Sequence, residues 1–144
     1  MLIDSTLLDN LTAQAKRSPR FRMNYDLRNS AEDGSQRMLN AMEPGTEVPV
    51  HRHRKSSETV VVIRGAIRQK FYDNDGNVTE SVVYRAGDPV PICVVPVNVW
   101  HNSESLESGT IIFEAKDGAY EPLGEGDILR VVGQRMNAEL TNCR

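Results

Sequence analysis

Four side chains in this sequence have the residue types and spacing of a metal site. His51 and His53 are separated by one residue, and Glu58 follows five positions later. In an extended strand, residues i and i+2 point to the same face, so we expect the two imidazoles side by side. Imidazole and carboxylate groups both bind first-row divalent metals. The pattern therefore favours a metal site over an ordinary pair of surface or core histidines.

A polar connection and a distant histidine complete the predicted site. Residues 54–57 are polar and could reverse the chain, which would make His53 and Glu58 cross-strand neighbours with Cβ atoms about 4.5–5.5 Å apart. His101 is the remaining histidine, and we expect it to lie across a barrel from the others. Three imidazoles and one carboxylate leave an octahedral ion two open positions. The predicted cofactor is one divalent transition metal ion, Zn, Fe, Mn or Ni.

The elements that must position these side chains are mostly strands. Residues 5–16 carry apolar side chains at helical spacing and predict one amphipathic helix. After Pro19, short runs alternate with turn signals, which is typical of an all-β sandwich or barrel. Strands are predicted at residues 21–26, 36–42, 46–52, 58–64, 66–73, 78–85, 91–95, 99–103 and 110–116. An Asp-Asn-Asp-Gly turn at residues 73–76 predicts a hairpin. Residues 134–139 could form a short helix, a crossing segment or a frayed tail.

Composition limits the classes of protein that the chain can belong to. Its 144 residues are 39% hydrophobic and 26% charged, with a net charge of −3, which indicates one soluble domain with no overall attraction for nucleic acid. No apolar run approaches the roughly 18 residues of a membrane span. The first ten residues do not resemble a secretory signal, so we expect a cytoplasmic protein. Cys93 and Cys143 lie far apart, and a reduced, structural role is expected for both.

Basic residues cluster in two places. One group lies near the N-terminus, and a second interleaves with the first two histidines. The members are Lys16, Arg17, Arg20, Arg22 and Arg28 in the first group, and Arg52, Arg54 and Lys55 in the second. These side chains could form a solvated basic face, or they could bind a small anionic ligand.

The histidine region resembles the cupin superfamily. Residues 45–65 match its first motif, Gly-x5-His-x-His-x4-Glu-x6-Gly, at every fixed position. The second motif is matched loosely by Gly87, Pro96, Asn98 and His101, with a longer first spacer, asparagine in place of a glycine, and Ser105 in place of an asparagine. More narrowly, most of residues 1–125 resembles the WbuC family of cupin-fold metalloproteins. That likeness rests on Ser18-Pro19-Arg20, Arg22, Asn24, Gln36-Arg37-Met38-Leu39, Pro44-Gly45-Thr46, Trp100-His101 and the run from Phe113 to Pro122.

The resemblance implies a fold, a set of metal ligands, an oligomeric state and a class of ligand. It implies a mainly all-β protein, a double-stranded β-helix or jelly-roll barrel with a short N-terminal helix and a metal held by His51, His53, Glu58 and His101. The expected division is an N-terminal helix and arm over residues 1–20, the barrel over residues 21–126 and a tail over residues 127–144. Small cupins commonly pair, so a homodimer is expected. Relatives in surface-polysaccharide gene clusters suggest a sugar or sugar-nucleotide ligand.

Fold and metal alone leave the reaction open. The chain could be a metal-dependent isomerase, epimerase or oxygenase, a binding or sensor module without turnover, or a protein whose metal is structural. Its expected partner is a small molecule, with no nucleic acid and no membrane. The polar side chains that could contact this ligand are Asn24, Gln36, Arg37, Tyr72, Tyr84 and Glu114.

Overall fold

The fold is taken from a computed structural model, which describes residues 1–130. Cys143 and the segment at residues 134–139 lie outside the described residues. The described chain has one α-helix, eight strands and one short 3-10 helix at Glu125–Asp127.

The helix α1, Ser5–Arg17, confirms the predicted amphipathic helix. Asp4 caps it, because its carboxylate accepts a hydrogen bond from the backbone N–H of Leu7 at 3.0 Å. The buried face of the helix carries Leu8, Leu11 and Ala15, which pack on the outer face of a sheet. Among residues 1–130, no helix has the length and apolar character needed to cross a membrane.

Eight strands form two antiparallel sheets. The strands are β1 Arg22–Asp26, β2 Ser35–Met42, β3 Glu58–Arg64, β4 Ala66–Tyr72, β5 Val78–Arg85, β6 Ile92–Val95, β7 Trp100–Ser105 and β8 Thr110–Asp117. One sheet has five strands in the order β1-β2-β8-β3-β6, and the other has three in the order β5-β4-β7. This arrangement confirms the predicted mainly all-β architecture.

The strand predicted at residues 46–52 is wrong. Within this stretch only His51 forms β-bridges, to His101 on one side and to Ile128 on the other. Pro49 lacks a backbone N–H, so it cannot extend the ladder past His51. The histidines are therefore carried by an irregular segment that forms a β-bridge to the sheets only at His51.

Two apolar clusters hold the layers together. The first lies between helix α1 and the outer face of the five-stranded sheet, and it includes Leu39, Ala41 and Ile111. The second lies between the two sheets, where Met42, Val60, Val62, Ile67, Tyr84 and Ile112 meet. Strand alternation explains the split, because neighbouring residues of β2 and β8 face opposite clusters.

Two turns connect the strands that frame the site. Gly65, between β3 and β4, has a φ of +75°, and a Cβ there would lie 2.8 Å from the Cα of Thr110. Only glycine fits that approach. The turn predicted at residues 73–76 is confirmed, because β4 and β5 pair as an antiparallel hairpin around it. In this turn Asp73 accepts hydrogen bonds from the backbone N–H groups of Asp75 and Asn77, both at 2.9 Å.

Candidate metal centre

The three histidines of the chain lie together between the sheets. One potential ligand nitrogen from each of His51, His53 and His101 lies within 4.8 Å of the other two. The ring centroids are 4.9 Å apart for His51 and His53, 4.3 Å for His51 and His101, and 5.3 Å for His53 and His101. One ion could contact all three imidazoles at this spacing.

Backbone pairing brings His51 and His101 together. The N–H of His51 donates to the carbonyl of His101 at 3.0 Å, and the reverse bond measures 2.9 Å. The two residues are thus direct cross-strand neighbours. The expectation that His101 lies across a barrel from the others is wrong in this respect, although its side chain reaches the same point. The isolated bridge at His51 therefore positions this imidazole at the site, which was the role expected of the predicted strand.

Hydrogen bonds orient two of the three imidazoles. The Nδ1 atoms of His51 and His101 lie 2.8 Å from the carbonyl oxygens of Pro49 and Val99, each two residues earlier in the chain. A carbonyl oxygen only accepts, so each Nδ1 carries the proton and each Nε2 keeps its lone pair. Metal-binding histidines are commonly oriented through such an outer bond.

The buried Nε2 atom of His101 is the test of whether these residues fit a metal. Within residues 1–130 this atom has no hydrogen-bond partner, although its residue is only 2% exposed. Buried polar atoms are normally satisfied, and an orphaned one calls for an explanation. An imidazole nitrogen with a free lone pair, facing two other imidazoles, fits a divalent transition metal.

Glu58 joins the histidines at the start of strand β3. Its Oε2 atom lies 2.8 Å from Nε2 of His53 and 3.6 Å from Nζ of Lys116. The predicted hairpin is wrong, because Glu58 pairs with Val95 on β6 and with Lys116 on β8, and His53 belongs to the irregular segment. The side chains of Glu58 and His53 nevertheless meet.

Burial and neighbouring charges shift the pKa values of Glu58, His51 and His101. Burial would raise the pKa of Glu58, but the contact with His53 and the nearby Lys116 ammonium hold that pKa at about 2. Burial lowers the pKa of His51 to about 3, and the neighbouring His101 adds to the effect. Burial also lowers the pKa of His101. At neutral pH the site therefore presents a carboxylate and at least two neutral imidazoles, which is the state that binds a metal.

A cavity of about 520 Å³ opens beside the histidines. Of the ligand contacts predicted from the sequence, Asn24, Gln36 and Glu114 line it, whereas Arg37, Tyr72 and Tyr84 do not. Their positions in the sheets explain the difference.

On β2 the even-numbered residues Gln36, Met38 and Met42 face the cavity, so Arg37 faces outward with the helix-packing residues and pairs with Asp33 at 2.9 Å. Tyr72 lies on the other sheet, where its hydroxyl donates to Asn102 at 2.9 Å.

Glu114 belongs to a short polar chain on the inner face of the five-stranded sheet. Nδ2 of Asn40 donates to Oε2 of Glu114 at 3.4 Å, and Nε of Arg22 donates to Oδ1 of Asn40 at 3.0 Å. Burial and the Glu58 carboxylate raise the pKa of Glu114, against the opposing effect of Arg22 and Lys116. The wall of the cavity therefore contains a carboxyl group that takes up a proton more readily than an exposed one.

Sequence reasoning did not place three residues of this wall at the site, although Arg22 belonged to a basic group that was considered for a small anionic ligand. Asn40 is fully buried, and Arg22 and Lys116 line the cavity. Period-two alternation on β8 could have found Lys116, because it lies two residues after Glu114 and must face the same side. Arg22 and Asn40 become neighbours of Glu114 only through the β1–β2–β8 pairing, which no local pattern shows.

The basic residues that interleave with the first two histidines bind the C-terminal strap, residues 118–129, several of which line the cavity. Nε of Arg54 donates to Asp127 at 2.6 Å, Nη2 of Arg52 donates to the Gly126 carbonyl at 3.0 Å, and Lys55 pairs with Glu121 at 2.9 Å. Arg52 also stacks on Trp100, 4.2 Å from the ring centroid. The histidine segment thus points its imidazoles inward and its charged side chains toward the strap.

Comparison with solved structures identifies the fold. An oxalate oxidase in complex with the substrate analogue glycolate superposes with a TM-score of 0.58 at 18% identity, covering 73% of this chain and 55% of that one. KdgF from Halomonas sp. superposes with a TM-score of 0.54 at 13% identity, covering 72% of this chain and 84% of that one. The cupin domain of Schizosaccharomyces pombe Cnp3 gives a TM-score of 0.53 at 11% identity, covering 67% of this chain and 64% of that one. The chain therefore has the cupin fold.

The chain spans about half the length of the oxalate oxidase chains that it matches in structure. Comparison by sequence relates it to one family. No curated protein matches its sequence. The model of a family described as a domain of unknown function, DUF6016, matches residues 3–84, which is more than half of the chain, and the chain belongs to that family.

Proposed function

We propose that this protein binds one divalent transition metal ion through His51, His53, His101 and Glu58. One observation carries the proposal: three imidazoles converge between the sheets, and two have their Nδ1 atoms tied to backbone carbonyls so that Nε2 is available. Zn, Fe, Mn and Ni all suit this donor set. The cupin fold and the complete first cupin motif support the same site.

The cavity beside the site supports a functional rather than a structural ion. A structural zinc site is closed by its protein ligands and needs no adjoining space. Here Glu114, Gln36 and Lys116 line a cavity of about 520 Å³ that also reaches the histidines. Such a volume suits a small polar molecule. We therefore favour metal-assisted chemistry or binding over a metal that serves folding alone.

The proposed activity is that of a metal-dependent enzyme acting on a small polar molecule. When bound, a divalent ion supplies Lewis-acid polarisation of an oxygen group. The chain supplies the remaining functions. Glu114 can hold or release a proton at its carboxyl oxygen, Asn40 fixes the orientation of that carboxyl group, and the strap limits access of water from one side. An isomerase, an epimerase and an oxygenase all fit this description, as does a binding protein without turnover.

The resemblance to the WbuC family supports a sugar or sugar-nucleotide derivative in surface-polysaccharide metabolism as the ligand. Among the structural neighbours, an oxalate oxidase was solved with glycolate and an oxalate decarboxylase with formate, both small oxygen-rich acids. These likenesses support a ligand with several oxygen atoms.

The resemblance also leads us to propose a cytoplasmic homodimer with the barrel at residues 21–126, an N-terminal arm at residues 1–20 and a tail at residues 127–144. Light scattering measures the mass of the assembly, and limited proteolysis tests the boundaries. A monomeric mass at micromolar concentration would contradict the dimer.

Metal analysis of the purified, untagged protein tests the site. We expect about one transition metal ion per chain in the wild type, and a loss of most of that metal in His101→Ala, which removes the buried Nε2 ligand. Arg68→Gln, a change on the outer surface where Arg68 pairs with Glu104, is the matched control and keeps the metal. Full metal retention in His101→Ala would contradict the proposed ligand set.

A further inference from the structure

We propose that the ligand of this cavity carries a carboxylate or phosphate group, and that Arg22 and Lys116, which lie on either side of Glu114 along one wall, attract this anion to the space beside the metal. The inference rests on the proposed metal site and names the class of molecule that the site accepts. Its basis is the charge of the cavity and the partners of its cations, not the family resemblance.

The charge of the cavity points to an anion. Six basic and six acidic side chains line it, so the protein charges cancel when all are ionised. A bound divalent ion then leaves an excess of about two positive charges in a partly enclosed space of about 520 Å³. Uncompensated charge away from bulk water is unfavourable, and an anionic ligand removes that excess.

Three basic side chains near the strap, those of Arg52, Arg54 and Lys55, already form hydrogen bonds or ion pairs with it. Arg54 is paired with Asp127, and Lys55 is paired with Glu121. Arg52 donates to a backbone carbonyl and stacks on Trp100. These three side chains were among the sequence candidates for anion binding, as Arg22 was, and the structure pairs them with the strap instead.

The cations deeper in the cavity have weaker partners. Arg22 donates through Nε to the amide oxygen of Asn40, which is neutral. Lys116 lies 3.6 Å from Glu58, whose oxygen is shared with His53 at 2.8 Å. If Glu58 binds the metal, Lys116 loses part of that partner. An arginine and a lysine with incompletely neutralised charges are the groups that bind carboxylates and phosphates.

The two cations come from different strands but share one wall. Lys116 lies on β8 directly opposite Glu58, and Glu114 is the next inward residue of β8. Arg22 reaches the same carboxyl group through Asn40. Arg22 pairs with Met42 and Lys116 pairs with Gln36, so the two cations flank Glu114, with Lys116 on the side of Glu58 and the histidines.

Ligand titration of the cobalt(II)-loaded protein tests the proposal through the visible absorption of the metal. The probes are glucuronate, glucose 1-phosphate and glucose, with glycolate and inorganic phosphate as small oxyanions. We expect at least one of the four anions to change the spectrum with an affinity at least about tenfold higher than that of glucose. The carboxylate and phosphate probes show which oxyanion is preferred.

Variants assign that preference to the two residues. Arg22→Gln, Lys116→Gln and the double variant should lose the preference about tenfold or more while still binding one cobalt per chain, and Arg68→Gln should keep it. Equal affinity for glucose and all anions, or an unchanged preference in the double variant, would overturn this inference and leave the metal site standing. Failure of the wild type to bind cobalt would overturn the metal site as well.

Discussion

The space between the two sheets has two ends that are built from the same strands but differ in chemistry. At one end Val60, Val62 and Ile112 pack with Ile67 in a buried apolar cluster. At the other, the same strands β3 and β8 present Glu58, Glu114 and Lys116 to the histidines. On each strand the inward side chains change from apolar to charged within two residues, between Val60 and Glu58 on β3 and between Ile112 and Glu114 on β8. Burying charged groups opposes folding unless they are paired, so the polar end is retained at some cost in stability.

The comparison predicts that the apolar end carries most of the stability. Ile112→Ala removes a side chain that is 1% exposed and leaves a cavity between the sheets. We expect the free energy of unfolding to fall by about 2–5 kcal/mol, measured by urea denaturation, with metal content unchanged once the variant is folded. A loss of metal without a loss of stability would show that the two ends are not separable in this way.

Acid should destabilise the metal-free protein through the polar end. Burial lowers the pKa of His51 to about 3 and also lowers the pKa of His101, whereas both have ordinary values near 6.5 in the unfolded chain. Below pH 6.5 the unfolded chain therefore binds protons that the folded chain does not. The free energy of unfolding should therefore fall as the pH drops below 6.5, with a slope that approaches roughly 1.4 kcal/mol per pH unit for His51 by pH 5, and His101 adds to the fall in the same direction.

Urea denaturation of the metal-free protein at several pH values measures this slope. The matched variant is His51→Gln with His101→Gln, which removes both groups and should give a shallower dependence. A slope that is the same in the variant would place the acid sensitivity elsewhere in the chain.

The smallest expected change in stability is at Glu114, which is the next residue after Ile112 on β8 to face the space between the sheets. Glu114→Gln keeps an oxygen that can accept from Asn40 but removes the charge. Because burial and Glu58 raise the pKa of Glu114, its favourable contribution to folding is present below pH 4.5 and is lost as the pH rises through the folded pKa. At neutral pH the metal-free variant should therefore be more stable than the wild type, by an amount on the order of 1 kcal/mol.

Thermal unfolding at pH 7.5 checks this prediction beside Ile112→Ala. Opposite signs for two neighbouring inward positions of β8 would sharpen the contrast between the ends. Destabilisation by both changes would mean that Glu114 is held by interactions that favour its charged form.

Local patterns predicted the elements better than the contacts between them. The helix and eight of the nine predicted strands are confirmed, because helical spacing and period-two alternation are local properties of the chain. Residues 46–52 also show strand-like alternation, but Pro49 and the lack of a continuous partner leave only the bridge at His51. The predicted hairpin between His53 and Glu58 is also wrong, because the first of its two strands is absent and Glu58 pairs with β6 and β8 instead.

The candidate site shows the same limit. The four proposed ligands could be named from spacing, motif and the scarcity of histidine. The cavity wall could be named only in part: Asn24, Gln36 and Glu114 were candidates, but the contacts that join Arg22, Asn40 and Glu114 depend on pairing between strands far apart in the sequence. Arg37 was misplaced by a single position, since one residue along a strand changes the face of the sheet.

The central claim is that three imidazoles bind one metal through Nε2. Nitrogen-15 NMR of the histidine side chains, during titration of the metal-free protein with zinc, tests this most directly. We expect the Nε2 resonances of His51, His53 and His101 to shift together and saturate at one equivalent, with Nδ1 of His51 and His101 still protonated. Fewer than three responding imidazoles, or binding through Nδ1 of His51 or His101, would contradict the account.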